Sequence, residues 1–341
     1  MMKSTTKIKK WQLVRQKSRL ATVDLSGEDF ITVGNRAFRG NWRLEKLTLP
    51  ANLSAIKSEA FWRCKRLKHV VLAGDTTVGI SASAFSHCQR LHEIENDRMI
   101  SSIGPRAFKN CYTLSKIELG NDLKRIGDEA FRGCRALRDI QIPASLKSMG
   151  QAAFADCVEL THVSFCEGTS VLAKNAFCRC ISLTNIILSS DITTLPQGVF
   201  GGCSALREVT VPYHVQRVDA FAFYDCARLE SLILEAGVQK IGAFAFAGTP
   251  ELREVSVGNG LQKLGFGAFG LGKSKEKITM RVETEYMLRR MKIQLILCGS
   301  IGRVELIQDG KSIDERKRER RRSTLEQTPV HLIDDLSDTN E

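Results

Sequence analysis

Apolar residues along this chain return on a fixed period. Between Phe108 and Phe131 they fall at Phe108, Cys111, Leu114, Ile117, Leu119, Leu123, Ile126, Ala130 and Phe131, with mostly polar residues between. Leu114-x-x-Ile117-x-Leu119 ends in alternation, the periodicity of a strand with one buried face. Leu123-x-x-Ile126-Gly127 predicts a second, shorter extended piece. Ala130-Phe131-Arg132-Gly133-Cys134 then opens the next unit. Its phenylalanine recurs at Phe38, Phe61, Phe85, Phe108, Phe131, Phe154, Phe177, Phe200, Phe223, Phe246 and Phe269, so that nine of the ten gaps are 23 residues and one is 24. A period that strict marks a stacked solenoid. One turn of backbone cannot bury its own apolar face, so each Leu, Ile and Phe position becomes a ladder through a shared core. Strands about 4.8 Å apart give eleven or twelve turns a length of roughly 50–60 Å. The single 24-residue gap predicts a loop bulge at the rim near Gly74–Gly79.

Glycine follows the apolar residue in Val33-Gly34, Ile103-Gly104, Ile126-Gly127, Met149-Gly150, Ile241-Gly242 and Leu264-Gly265. Glycine there permits either positive φ or close backbone approach at a corner. The alanine before each phenylalanine suits a tight turn over the ring. Four regions follow from the pattern. Residues 1–19 read as an N-terminal basic capping helix, with Ile8, Trp11 and Val14 one turn apart. The solenoid occupies 20–272. A C-terminal cap covers 273–310, with a last strand at 278–282, a helix at 283–292 and a strand pair at 294–298 and 303–308. Residues 311–341 read as a disordered charged tail.

The consensus Leu-x-x-Ile-x-Leu-(Pro)-x-x-Leu-x-x-Ile-Gly-x-x-Ala-Phe-x-x-Cys, with its proline at Pro50, Pro143 and Pro212, resembles the BspA-type leucine-rich repeats. The resemblance covers about residues 20–272. It implies an α/β solenoid of the leucine-rich-repeat kind, a right-handed horseshoe with a parallel β-sheet on its concave face and caps at both ends. It further implies non-catalytic recognition of proteins. Many members of the family are surface or secreted adhesins, which makes a BspA-like adhesin one alternative function.

Charge changes the picture at one end only. The chain carries 50 Lys+Arg against 38 Asp+Glu, a formal net charge of +12. Residues 1–72 hold 16 of the cations and 5 of the anions, whereas the remainder is nearly balanced. An acidic partner would therefore meet the N-terminal end. No apolar run approaches the roughly 20 residues that span a bilayer, and no secretion signal is visible. Acid-free residues 1–23 are also compatible with an organelle presequence. The expected location is intracellular, in cytoplasm or nucleus.

Eight of the eleven cysteines share one repeat position: Cys64, Cys88, Cys111, Cys134, Cys157, Cys180, Cys203 and Cys226. Metal sites want ligands converging on one point, and a 23-residue period gives a line of single thiols instead. These read as buried structural thiols, with no metal and no cofactor. The six histidines are scattered over repeat positions, and no nucleophile–base pair or phosphate loop emerges, so no enzyme is expected.

Two surfaces are candidates for binding. Outward concave positions form one line through Lys46, His69, Glu93, Lys116, Asp139, His162, Asn185, Glu208, Ser231 and Glu254. A second runs through Thr48, Val71, Glu95, Glu118, Gln141, Ser164, Ile187, Thr210, Ile233 and Ser256. Together Glu93, Glu95, Asp97, Glu118 and Asp139 make an acidic patch that fits a basic segment of a partner protein, with calcium a weaker fit. Adjacent Glu95 and Glu118 carry the same sign, which costs stability. The second surface is a basic, aromatic edge of Arg39, Trp42, Arg43, Trp62, Arg63, Lys65 and Arg66. Interleaved Arg and Trp fit either an acidic protein or, as the other alternative, a nucleic acid.

The tail adds short motifs. Arg316, Lys317, Arg318, Arg320, Arg321 and Arg322 resemble a nuclear localisation signal and read equally as a solvated charged helix. Ser323 after three arginines resembles a basophilic kinase site. Val330-His331-Leu332-Ile333-Asp334-Asp335 resembles a SUMO-interaction motif, which works by strand addition. The leading reading is a non-enzymatic protein–protein scaffold or adaptor that binds its partner on the concave face.

Overall fold

A computed structural model describes residues 20–270, 278–282, 284–297, 304–308 and 311–312. The N-terminal capping helix, the arginine cluster around Arg320, Ser323 and the 330–335 motif lie outside the described residues. The rest is a parallel-strand solenoid of about twelve turns. Most turns contribute a longer strand to the concave face and a two- to four-residue strand to an adjoining face, and then a run of turns around the convex side.

The concave strands follow the predicted register. Lys46–Leu49 lies beside His69–Leu72, which lies beside Glu93–Glu95. Asp139–Ile142, His162–Phe165 and Asn185–Ile187 form a second group. Glu208–Val211, Ser231–Leu234, Glu254–Val257 and Ile278–Val282 form a third. Within each group the predicted outward lines are ladders, as in Lys46↔His69↔Glu93 and Gln141↔Ser164↔Ile187, but neither line is continuous: Lys116 and Glu118 pair with no strand, and Asn185–Ile187 does not pair with Glu208–Val211. The extra residue also falls where expected. Leu49 pairs with Leu72 at a spacing of 23, but Ile56 pairs with Ile80 at 24, so the insertion lies between Leu72 and Ile80. The Thr76 hydroxyl there sits 3.0 Å from the carbonyls of both Ala51 and Leu53 and pins the bulge to the preceding turn.

Every phenylalanine of the module is buried, and consecutive rings from Phe38 to Phe269 stack in one unbroken column. Their centroids are 5.0 to 5.8 Å apart. Each ring pair adds about 0.5–1.5 kcal/mol beyond area burial. The cysteine three residues on is also buried. Its Sγ donates to the carbonyl of the preceding turn's phenylalanine, as Cys134 does to Phe108 at 3.2 Å. That carbonyl already accepts the Cys111 N–H, so the thiol occupies its second lone pair.

The corner glycines resolve to close approach. A Cβ on Gly127 would sit 2.4 Å from the Pro105 nitrogen, and one on Gly150 2.2 Å from the Asp128 nitrogen. Positive φ instead marks the residues two before and two after each phenylalanine, such as Glu129 (53°) and Gly133 (74°). This geometry aims alternate N–H groups along the column. Glu129, Phe131 and Gly133 donate to the carbonyls of Gln151, Ala153 and Ala155 in the next turn. Strand residues donate the other way, as Gly127 does to Ile103 of the turn before.

The C-terminal cap departs from the sequence reading. A helix, α1, runs Glu285–Leu297, so the strand expected at 294–298 is absent from 294–297. The reason is the helical spacing of Leu288, Met291 and Leu295, which all bury, whereas Ile293 and Ile296 remain exposed. The alternation in Ile293-Gln-Leu-Ile-Leu297 was a weaker signal than that stripe. Val304–Gln308 is a strand as expected, but it pairs in parallel with Ile278–Val282. Lys311–Ser312 then turns back antiparallel to it.

Candidate functional site

The concave sheet is interrupted. Glu93–Glu95 ends the first group of strands and Asp139–Ile142 begins the next, so the intervening turn, 115–119, pairs with neither. The cause is local. Asn96 occupies the inward ladder position held by Leu49, Leu72, Leu119 and Ile142 in other turns. Its amide needs a partner and finds the Leu72 carbonyl at 2.7 Å, with its own backbone left-handed at φ 62°. A 3-10 turn at Asp97–Met99 follows and the strand stops. Asp97 is thereby turned into the wall, only 9% exposed, and its carboxylate accepts the Glu118 N–H at 2.7 Å. A side chain replaces the missing ladder bond. Burial pushes the Asp97 carboxyl up, and the Glu118 N–H pulls it part of the way back.

The interruption leaves grooves on both sides of 115–119. The larger, about 1210 Å³, runs toward Asp139, Gln141, His162 and Glu159. The smaller, about 550 Å³, runs toward Glu93, Glu95 and His92. Four of the five carboxylates of the predicted acidic patch line these grooves from exposed or half-buried positions. Asp97 does not display its charge, because the broken strand turns it inward. The feared repulsion between Glu95 and Glu118 is relieved. Glu118 is gripped by Arg98 and by Lys116, the latter at 2.6 Å, and these bonds hold its carboxyl below the usual range, Lys116 first. Glu93 meets His69 and Asp139 meets His162, each at 3.0 Å. Sequence reasoning missed Arg98, Asp122 and Arg138 in the grooves. A polar Asn96 at a ladder position was the available signal that the chain would leave its path there. Counted over both grooves, six carboxylates besides the inward-turned Asp97 face three Lys or Arg side chains.

The basic, aromatic edge also assembles. The guanidinium groups of Arg39 and Arg63 lie 4.5 and 4.2 Å from the centre of the Trp62 ring, and that of Arg43 lies 4.6 Å from Trp42. Arg39 also pairs with Glu59, and Arg66 with Glu45. Trp62 meets His87 edge-on. Lys65 is exposed beside them. Arg90 sits one period after Arg66 and was not singled out from the sequence.

Among the described residues no three His, Cys, Asp or Glu side chains converge on a metal-sized site, and no helix is long and apolar enough to cross a membrane. All ten described cysteines are free.

The pattern of the BspA type leucine rich repeat region, in six copies, matches residues 2–92, 67–182 and 170–290. Among solved structures, a leucine-rich repeat protein from Bacteroides ovatus is similar at 23% identity and a TM-score of 0.55, over 70% of this chain and 57% of that one. This chain thus spans little more than half of that relative's length. A T. pallidum leucine rich repeat protein is similar at 23% identity over 60% of this chain and 76% of that one, with a TM-score of 0.39. The pneumococcal vaccine antigen PcpA is similar at 18% identity over 77% and 82%, with a TM-score of 0.42. The first of these likenesses shows the fold. No curated protein matches the chain.

Proposed function

The chain belongs to the BspA-type leucine-rich repeat family, and from that premise we propose that it is a non-enzymatic scaffold that binds a basic segment of a partner protein along the concave interruption. The observation that carries this reading is the pair of grooves flanking 115–119, with their excess of carboxylates, which the second break of the wall, between Asn185–Ile187 and Glu208–Val211, does not share. A backbone that has left its ladder offers N–H and C=O groups as well as charge. An extended peptide recognises that combination. Three cations of the site are already held by Glu118 or Glu159, and neither Glu95 nor Asp122 forms an ion pair among the described residues.

A protein is favoured over a nucleic acid at the other candidate surface too. Two guanidinium groups over Trp62 take up ring face on which a base would stack. Eight buried reduced thiols suit a cytosolic or nuclear setting, and localisation of tagged protein tests that placement.

Binding is tested by affinity purification of the full-length protein from its own cells, with and without nuclease, comparing the native chain with Glu95→Lys and Asp139→Lys. Both residues are exposed, so the fold should survive. Proteins retained after nuclease, and weakened about tenfold by either substitution, support the reading. Loss of bound material with nuclease, or indifference to both substitutions, overturns it.

A further inference from the structure

The last turns carry an exposed aromatic cluster that the core does not need. Phe221 stacks on Phe244 at 5.4 Å, Phe244 meets Phe266 edge-on at 5.5 Å, and Phe221 meets Tyr224 at 5.7 Å. Phe266 is 64% exposed, and Phe221 and Tyr224 are also exposed. Two of these rings stand on left-handed backbone, Phe221 at φ 60° and Phe244 at 56°. Bulky residues rarely accept that conformation, and other turns place Gly198 and Gly267 at the same position. The Phe244 ring lies where a Cβ on Gly267 would be, 2.6 Å away, so the neighbouring turn is shaped to receive it.

A shallow groove of about 400 Å³ runs beside this cluster, past Ala243 and Gly265, the residues just before Phe244 and Phe266. Lys174, Lys240 and Lys263 line it. Lys240 and Lys263 are directly opposed on adjacent strands, and neither forms an ion pair among the described residues. Like charges so placed cost stability. Arg290 of α1, bonded to the Gln262 carbonyl at 3.2 Å, adds a further cation. The one acid lining the groove, Asp219, is occupied by Arg217 at 2.9 Å.

We propose that this aromatic and lysine-lined surface is the docking site of the chain's own segment 326–341. That segment holds Glu326, Asp334, Asp335, Asp338 and Glu341 with no Lys or Arg, and carries Val330, Leu332, Ile333 and Leu336 among them. Its acids match the unpaired lysines and its aliphatic residues match the rings. The described chain ends at Ser312, in a strand beyond Ile278–Val282 at this same end of the stack. Twenty residues separate Ser312 from Leu332 and reach up to about 65 Å. A tether of that length raises the local concentration of the segment into the millimolar range.

The test places a photo-cross-linking phenylalanine analogue at position 332 of the full-length protein, mixed with an isotopically labelled unmodified copy. The expected product is a cross-link within one chain, onto residues 221–266. Lys240→Glu with Lys263→Glu should lower its yield about fivefold, and adding Asp334→Lys with Asp335→Lys should restore it. Both lysines are exposed, and an unchanged melting midpoint confirms that the variants fold. Cross-links elsewhere on the solenoid, no cross-link, or a yield indifferent to charge reversal overturns the proposal. Cross-links to the labelled copy overturn it as well and assign the site to a second molecule.

Discussion

The cysteine ladder shows how one residue type serves two needs. Alanine at that position would fill less space and leave the preceding phenylalanine's carbonyl with one donor. The thiol fills the site and supplies the second. Where Thr249 stands in the cysteine's place the bond is different: its hydroxyl donates within its own turn, to the Phe246 carbonyl at 2.8 Å. At the other end Asn41 stands in the position, and its Nδ2 is buried with no partner among the described residues. The ladder also fixes reactivity. Burial drives the thiols far up, to about 12 at Cys64, Cys157 and Cys226. The nucleophile is the thiolate, so these sulfurs should be inert at pH 8 both by access and by protonation. Titration of the native chain with a disulfide reagent should release at most three of eleven thiols, since eight belong to the ladder. All eleven should react in denaturant. A fourth fast thiol in the native protein would contradict the ladder.

At the level of elements, the regular parts were legible and the interruptions were not. Period, register, bulge and the burial of Phe and Cys follow from recurring apolar residues, because each ladder position repeats the same environment. The breaks follow from single departures. Asn96 ends one strand group. Thr169 takes the place of Leu123, Leu146 and Ile192 on the adjoining face, and that face breaks between Ser148–Met149 and Thr194–Leu195. A reading built on consensus passes over such residues as noise. The acidic patch was legible as a set of neighbours, but not the inward turn of Asp97 or the arrival of Arg98, since both depend on where a broken strand goes next. Helix α1 was under-read because its last turn also alternates. Amide exchange checks the interruption. Backbone N–H groups at Ile117 and Leu119 lack ladder partners, whereas those of Val163 and Phe165 lie within a paired strand. The first pair should exchange at least about tenfold faster, in line with local opening being easier where backbone bonds are few. Equal protection would mean that the sheet is closed in solution.

Across the whole molecule, the breaks are staggered. The concave sheet is open at 115–119, yet the adjoining sheet runs unbroken there through Ile100–Ile103, Arg125–Ile126 and Ser148–Met149. Where that second sheet lapses, Asp139–Ile142, His162–Phe165 and Asn185–Ile187 stay paired on the concave side. The concave side opens again between Asn185–Ile187 and Glu208–Val211, where Thr194–Leu195 and Arg217–Val218 stay paired on the adjoining face, and the phenylalanine column spans all three gaps. Among the described residues of the solenoid, each turn is therefore held to its neighbours by at least one face and by a ring. Stability in such a stack is a sum of local and nearest-neighbour terms. Ends matter most, because an end turn has one neighbour. Helix α1 supplies the missing contact at the C-terminal end, with Leu295 fully buried against the last strands. Leu295→Asp would bury an unpaired carboxylate there, at a cost of several kcal/mol, and α1 should undock. Exchange protection should then fall from Phe269 back to about Phe246 and remain native from Phe38 to Phe108. Uniform loss of protection along the chain would show instead that the column melts as one unit, with coupling that reaches well beyond adjacent turns.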